Sequence, residues 1–302
     1  MLKDLFKQIK NRILAKEDKT NPDSSAYIPI KQNGKTYNLY DLPDGFVIKG
    51  DVDLSEKGLT ELPNLSKVTV KGNFNCSNNQ LTSLTGAPRK VGGYFRCSDN
   101  QLTSLNGAPQ EVGGDFRCDN NKLTTLQGAS QKVGGDFECS DNQLKNLQGA
   151  PQKVGGEFWC DNNHLTSLQG ALQEVGGDFL CYNNQLTTLI GAPKEVGGNF
   201  YCSNNDNLFS LFGLPQMQED KEIYCDNDLM ERYNCPKAEN EYGSYYIDYK
   251  DLIESAKYQS ELSLHKILQK KHEERAQNDA ARKEKLKAGF EAFMKMQTEE
   301  RE

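Results

Sequence analysis

The sequence has no long apolar run, few histidines and a shortage of positive charge, and each lack removes a class of function. Its apolar stretches are only a few residues long, far below the roughly 20 that a helix needs to cross a bilayer. The first residues, Met1-Leu2-Lys3-Asp4-Leu5-Phe6, lack the unbroken apolar stretch and small-residue cleavage site of a secretory leader, so a cytoplasmic setting is expected. A formal net charge of −7 over 302 residues argues against a general nucleic-acid binder, whose affinity rests on neutralising phosphates with Lys and Arg. There are three histidines. His164 stands where the other repeats mostly carry Gln, and His265 and His272 lie seven residues apart without the His-x-x-x-His spacing of a zinc helix. The paired glycines lack the Lys-Ser/Thr of a phosphate loop. No catalytic residue, cofactor or metal is expected.

What the chain does have is a period. Of nine cysteines, Cys76, Cys97, Cys118, Cys139, Cys160, Cys181 and Cys202 recur every 21 residues, Cys225 follows after 23, and Cys235 stands alone. A phenylalanine precedes each by two residues, from Phe74 to Phe200, and an asparagine follows each by three, from Asn79 to Asn205. Two leucines then recur, from Leu81 and Leu84 through Leu186 and Leu189. Such self-similarity marks a solenoid, in which no coil buries its apolar face alone and stacking makes the core.

Each column has a physical task. Phe and Cys alternate with polar residues, the pattern of a short strand with one face inward. The leucines fill the same core from the far side of the coil. Asn sits where the chain leaves the strand and is expected to bond backbone groups of its own and the neighbouring coil. Gly-Gly is expected to give a sharp bend before the strand through positive φ, and Gly-Ala-Pro a narrow extended return. Cysteines stacked in register read as reduced core thiols rather than disulfides, because neighbours in parallel strands would pair only with strain. The Asp-Asn pairs, such as Asp99-Asn100, do not follow the nonapeptide period of calcium-binding coils.

The spacing Cys-x-x-Asn-x-Leu-x-x-Leu, as from Cys97 to Leu105, is similar to the leucine-rich-repeat core. The wording Gly-Ala-Pro-x-x-Val-Gly-Gly-x-Phe-x-Cys resembles repeat proteins of tailed bacteriophages and some bacteria, over roughly residues 46–228. Pro109 and Val112 look like positions of the short repeats in secreted effectors of Gram-negative pathogens, with one extra residue here. Some effectors are ubiquitin ligases with a large C-terminal domain bearing Cys-x-Asp; here Cys235 is followed by Pro236 and Lys237, so that activity is not carried over. The resemblance implies a right-handed β-solenoid of leucine-rich-repeat type with a parallel sheet on one face; strands read at Leu54, the seven 21-spaced cysteines and Cys225 give about nine coils, near 40 Å long at about 4.8 Å per strand. It implies no single activity, and a bacterial host cell as the setting.

The expected organisation is an N-terminal amphipathic helix and linker (1–25), a hairpin capping the first sheet edge (26–45), the solenoid (46–228), a C-cap (229–247) and C-terminal helices (248–302). Residues 2–16 set Leu2, Leu5, Phe6, Ile9, Ile13 and Leu14 on one stripe and Lys3, Lys7, Lys10, Arg12 and Lys16 around it. They read as a helix docked on a protein element, in preference to a membrane-surface helix or a flexible tail. Tyr242, Tyr245, Tyr246 and Tyr249 read as part of the C-cap. Phe290, Phe293 and Met294, after a polar stretch, read as a helical tether that packs either on the solenoid or on a partner.

Function is sought where the coils differ. The residue between Phe and Cys points out of the sheet and reads Asn75, Arg96, Arg117, Glu138, Trp159, Leu180, Tyr201, Tyr224, with Tyr182 nearby. An exposed aromatic patch usually marks a contact, and Trp, Tyr and Arg dominate interface energetics. Beside it runs an acidic row, Asp115, Asp136, Glu157 and Asp178. The expectation is a non-enzymatic protein-binding protein, phage-encoded, that engages a host or phage protein through this face. The competing reading has the chain's own flanks cover the patch. The alternatives are a structural component of a virion or assembly held by its terminal helices, and a carbohydrate-binding module.

Overall fold

The Phe-x-Cys segments form strands because each leaves unpaired amides that only another copy of itself can satisfy. In the computed structural model, which describes residues 27–234, 236, 238–239, 245–255, 257–267 and 270, they pair in parallel and in register. Phe74 lies beside Phe95, Phe116 beside Phe137, and Phe179 beside Phe200. This phenylalanine sheet runs in parallel from Val52–Asp53 to Glu222–Tyr224. A second, eight-stranded parallel sheet runs from Val47–Ile48 to Glu195–Val196, built from the residue pair just before each Gly-Gly or, in the first two coils, before Lys-Gly. The chain is therefore a β-solenoid with two sheets, not one, and the Gly-Gly pair is the corner between them. Eight turns carry both strands and Glu222–Tyr224 adds a last rung to the phenylalanine sheet.

The columns make one continuous core. Phe, Cys and both leucines are fully buried from the coil of Phe74 to that of Phe179, and the valines nearly so. Successive phenylalanine rings from Phe74 to Phe200 lie 5.1 to 5.5 Å apart, and each buried ring contributes roughly 2–3 kcal/mol. The seven cysteines from Cys76 to Cys202 are free and buried. Burial pushes their thiols up, as at Cys118 and Cys139, and the five from Cys76 to Cys160 each donate the S–H to a carbonyl of the next coil, as Cys139 does to Trp159 O at 3.2 Å.

Asparagine staples coil to coil. Asn142 Nδ2 donates to Cys139 O and Ser140 O of its own coil and to Cys118 O of the preceding one, at 3.0 to 3.1 Å. Its Oδ1 accepts from Leu123 N at 2.9 Å. The same set repeats at Asn100, Asn121, Asn163, Asn184 and Asn205. The residue before each of these has positive φ, 50 to 56° from Asn78 through Asp99 and Asp141 to Asn204. That region is open to Asn and Asp more readily than to other side chains, which explains the Asp-Asn pairs. Among the described residues no group of three or more His, Cys, Asp or Glu is arranged to hold a metal ion.

The glycines work differently from the sequence expectation. Gly-Gly does not take positive φ; that falls on the glycine of Gly-Ala-Pro, as at Gly107 with φ 94°. Gly-Gly is required by close approach, since a Cβ at Gly113 would sit 2.1 Å from Gly92 O of the coil before.

At the N-terminal end, β1 (Pro29–Gln32) and β2 (Lys35–Asn38) form an antiparallel hairpin. Its turn, Asn33-Gly34, has positive φ at both residues. The hairpin stays outside the parallel sheets, but Gln32 donates to Val47 O and accepts from Lys49 N, occupying the first edge with its side chain. At the other end, Tyr245–Asp248 pairs antiparallel with Glu222–Tyr224. Helix α1 (Asn227–Tyr233) buries Leu229, Met230 and Tyr233, at the expected junction of solenoid and C-cap, where the sequence reading placed no helix. Helix α2 (Tyr249–Glu254) and helical residues 257–267 follow. Glu261 accepts from Ser210 and Tyr233, and His265 lies 4.2 Å from the Phe212 ring. No helix among the described residues is long and apolar enough to cross a membrane. The amphipathic segment 2–16, Cys235, Tyr242 and the tether residues Phe290, Phe293 and Met294 lie outside the described residues.

Candidate interaction face

The outer side of the phenylalanine sheet carries three columns, because period-2 alternation turns out the residues before Phe, between Phe and Cys, and after Cys. The middle column contains the residues singled out from sequence, and register places them side by side: Arg96, Arg117, Glu138, Trp159, Leu180, Tyr201 and Tyr224.

It divides into two stretches. At the N-terminal end, Arg96 lies over the Tyr94 ring at 4.3 Å. Arg117 bonds Glu138 at 3.3 Å and approaches Asp115 at 4.0 Å. Burial, followed by the Asp119 carboxylate, raises the Glu138 carboxyl above its usual range despite Arg117. From Trp159 onward the row is apolar. Leu180 lies between Trp159 and Tyr201 in register and is only 8% exposed. Tyr201 and Tyr224 stack at 4.4 Å with rings 9° from parallel, and Tyr246 of the C-terminal strand packs on Tyr224 at 5.5 Å. Tyr224 is thus 8% exposed. The aromatic row is therefore less open than its sequence suggests: its C-terminal end is covered by the chain itself, while Trp159, Tyr182 and Tyr201 stay half-buried.

Acidic columns flank this row on both sides. Asp115, Asp136, Glu157 and Asp178 form the one read from sequence. Asp136 Oδ1 accepts from Glu157 N at 2.9 Å and Asp178 Oδ1 from Asn199 N at 2.7 Å, tying each carboxylate to the next coil. Glu157 also accepts from the Trp159 indole at 2.7 Å, fixing the ring. The second column, Asp119, Asp161 and Asp226, is not in the sequence reading. Its signal was the same alternation continued one step past Cys, broken by Ser98, Ser140 and Tyr182. Asp161 is buried and accepts from Ser140 and Asn162. Burial, with Asp161 beside it, pushes the Tyr182 hydroxyl up to about 12, so Tyr182 keeps its proton and donates it.

The outer side of the valine sheet is a contrast. It holds a shallow groove of about 620 Å³ lined by Lys71, Lys90, Glu111, Lys132 and Lys153 among others. Two of these lysines are engaged along the sheet, Lys90 with Glu111 and Lys153 with Glu174. No aromatic residue lines it. No protein-family model matches the chain, and no curated protein matches it in sequence.

Proposed function

We propose that this is a non-enzymatic binding protein that engages a protein partner through the outer side of the phenylalanine sheet. The observation that carries the reading is the run of half-buried Trp159, buried Leu180 and half-buried Tyr201, held in register and flanked by carboxylates. An apolar centre with a charged rim is the anatomy of a protein interface, and aromatic side chains pinned by neighbours lose little entropy when a partner packs on them. The resemblance of the repeat to proteins of tailed bacteriophages supports a host or phage protein as the partner and a bacterial cell as the setting.

The test is affinity capture from the bacterial host, comparing wild type with a Trp159→Ala/Tyr201→Ala double variant, followed by direct binding of the captured protein in purified form. The expected outcome is loss of binding by tenfold or more, since central aromatic contacts each contribute about 2 kcal/mol or more, with the β-sheet circular dichroism unchanged. Undiminished binding by the folded variant sinks the reading.

A further inference from the structure

The sheet face and the start of the chain are complementary in charge and in pattern. From the coil of Trp159 to that of Tyr201 the face presents an apolar row with Glu157 and Asp178 on one side and Asp161 on the other. Residues 2–16 carry five cations and one anion, arranged around an apolar stripe. We propose that this segment lies along the face, its stripe over Trp159 and Tyr201 and its lysines against the carboxylate rows. The inference rests on the reading of this face as the binding surface, since it makes residues 2–16 the resident occupant that a partner must displace.

Dimensions allow it. The register from Val52 to Phe158 counts five strand steps, about 24 Å at about 4.8 Å each. Residues 17–26 span up to about 33 Å when extended, enough to bring the segment from the first coil to Trp159. Fifteen residues of helix are about 22 Å long, between four and five strand steps at about 4.8 Å each. Charge selects this end of the chain over the other: residues 290–302 hold Glu291, Glu299, Glu300 and Glu302 against Lys295 and Arg301, and like charge would oppose them on an acidic face. It also selects the coils, because Arg96 and Arg117 repel the lysines from the N-terminal part of the row.

Trp159 is the sole tryptophan of the chain, so its fluorescence reports on this face in the intact protein. Acrylamide quenching is compared between the full chain and a Lys3→Glu/Lys7→Glu/Lys10→Glu/Lys16→Glu variant, whose substitutions are outside the repeat sequence. Quenching is expected to rise several-fold in the variant, with emission shifted to the red. In 1 M salt, where the Debye length is about 3 Å, the wild type should approach the variant. Equal quenching of the two proteins at low salt overturns the inference, as does protection of Trp159 that grows with protein concentration, which would make the occupant a second copy. The capture experiment separates the two readings. Equal quenching with a partner lost in the Trp159→Ala/Tyr201→Ala variant removes the occupant and leaves the binding face. Rebinding of that partner more tightly by the lysine-reversed chain is the result expected if the segment competes with it.

Discussion

Asn142 makes four hydrogen bonds with one amide, three given and one accepted, and two of them reach into the preceding coil. Removing that amide leaves three carbonyls and the Leu123 N–H without these bonds in a buried site, and a buried polar group without a partner costs about 1–3 kcal/mol. Asn142→Ala is expected to destabilise the protein by about 3 kcal/mol, seen as a lower denaturant midpoint. A loss of under about 1 kcal/mol, typical of a surface change, would mean that the carbonyls find other donors. This role was legible from the position of Asn at the strand exit. The task of its neighbour was not: the sequence shows only that Asp99 and Asp141 lack the period of calcium-binding coils, whereas the backbone turns left-handed at that point. A side-chain column gives its residue type but not the φ that selected it.

At the scale of the strand and turn, the fit between coils is set by absent side chains. A Cβ at Gly113 would collide with Gly92 O, while Gly50, in the first coil, has nothing within 4 Å. Gly113→Ala is expected to destabilise or prevent folding and Gly50→Ala to be neutral within about 0.5 kcal/mol; thermal melts of the two variants give the comparison. Equal melting temperatures would mean that the corner between the sheets opens without penalty. The phenylalanine strands were legible because Phe-x-Cys alternates; the valine strands were not, because two residues cannot show a period. Helix α1 was hidden for another reason. It falls where the 21-residue repeat gives way to the C-cap, and its local marks are Asp226 before it and Asn234, with φ of 52°, after it. The face was read in part. Its middle and one acidic column follow from alternation, whereas the burial of Leu180 and Tyr224 follows from which residues stand beside them and from a strand, Tyr245–Asp248, that lies outside the repeat.

Over the whole molecule, a net charge of −7 is gathered in part on the proposed binding face. Glu138 is the clearest sign of the strain: burial, then Asp119, raises its carboxyl, and burial followed by Asp161 raises that of Asp141. A raised carboxyl means that the folded protein holds the proton more tightly than the unfolded chain. Stability therefore falls as pH rises from about 4.3, the unfolded value for Glu, through the folded value, and is regained on acidification. Glu138→Gln, which keeps an acceptor for Arg117, is expected to be more stable than wild type at pH 7 by less than about 1 kcal/mol. The gap should close near pH 4 in denaturation curves. A variant less stable at pH 7 would show that the Arg117 ion pair outweighs the burial and crowding of the carboxylate. The stacking has a mechanical consequence as well. Within the coils the staples of Asn142 join only adjacent turns, across 19 and 24 residues, and the strands pair only with the next strand along. Tension applied to the two ends of the solenoid would fall on one outermost turn at a time. Each turn that peeled away would release roughly 70 Å of chain while the rest held, so that the molecule would yield in steps rather than rupture at once.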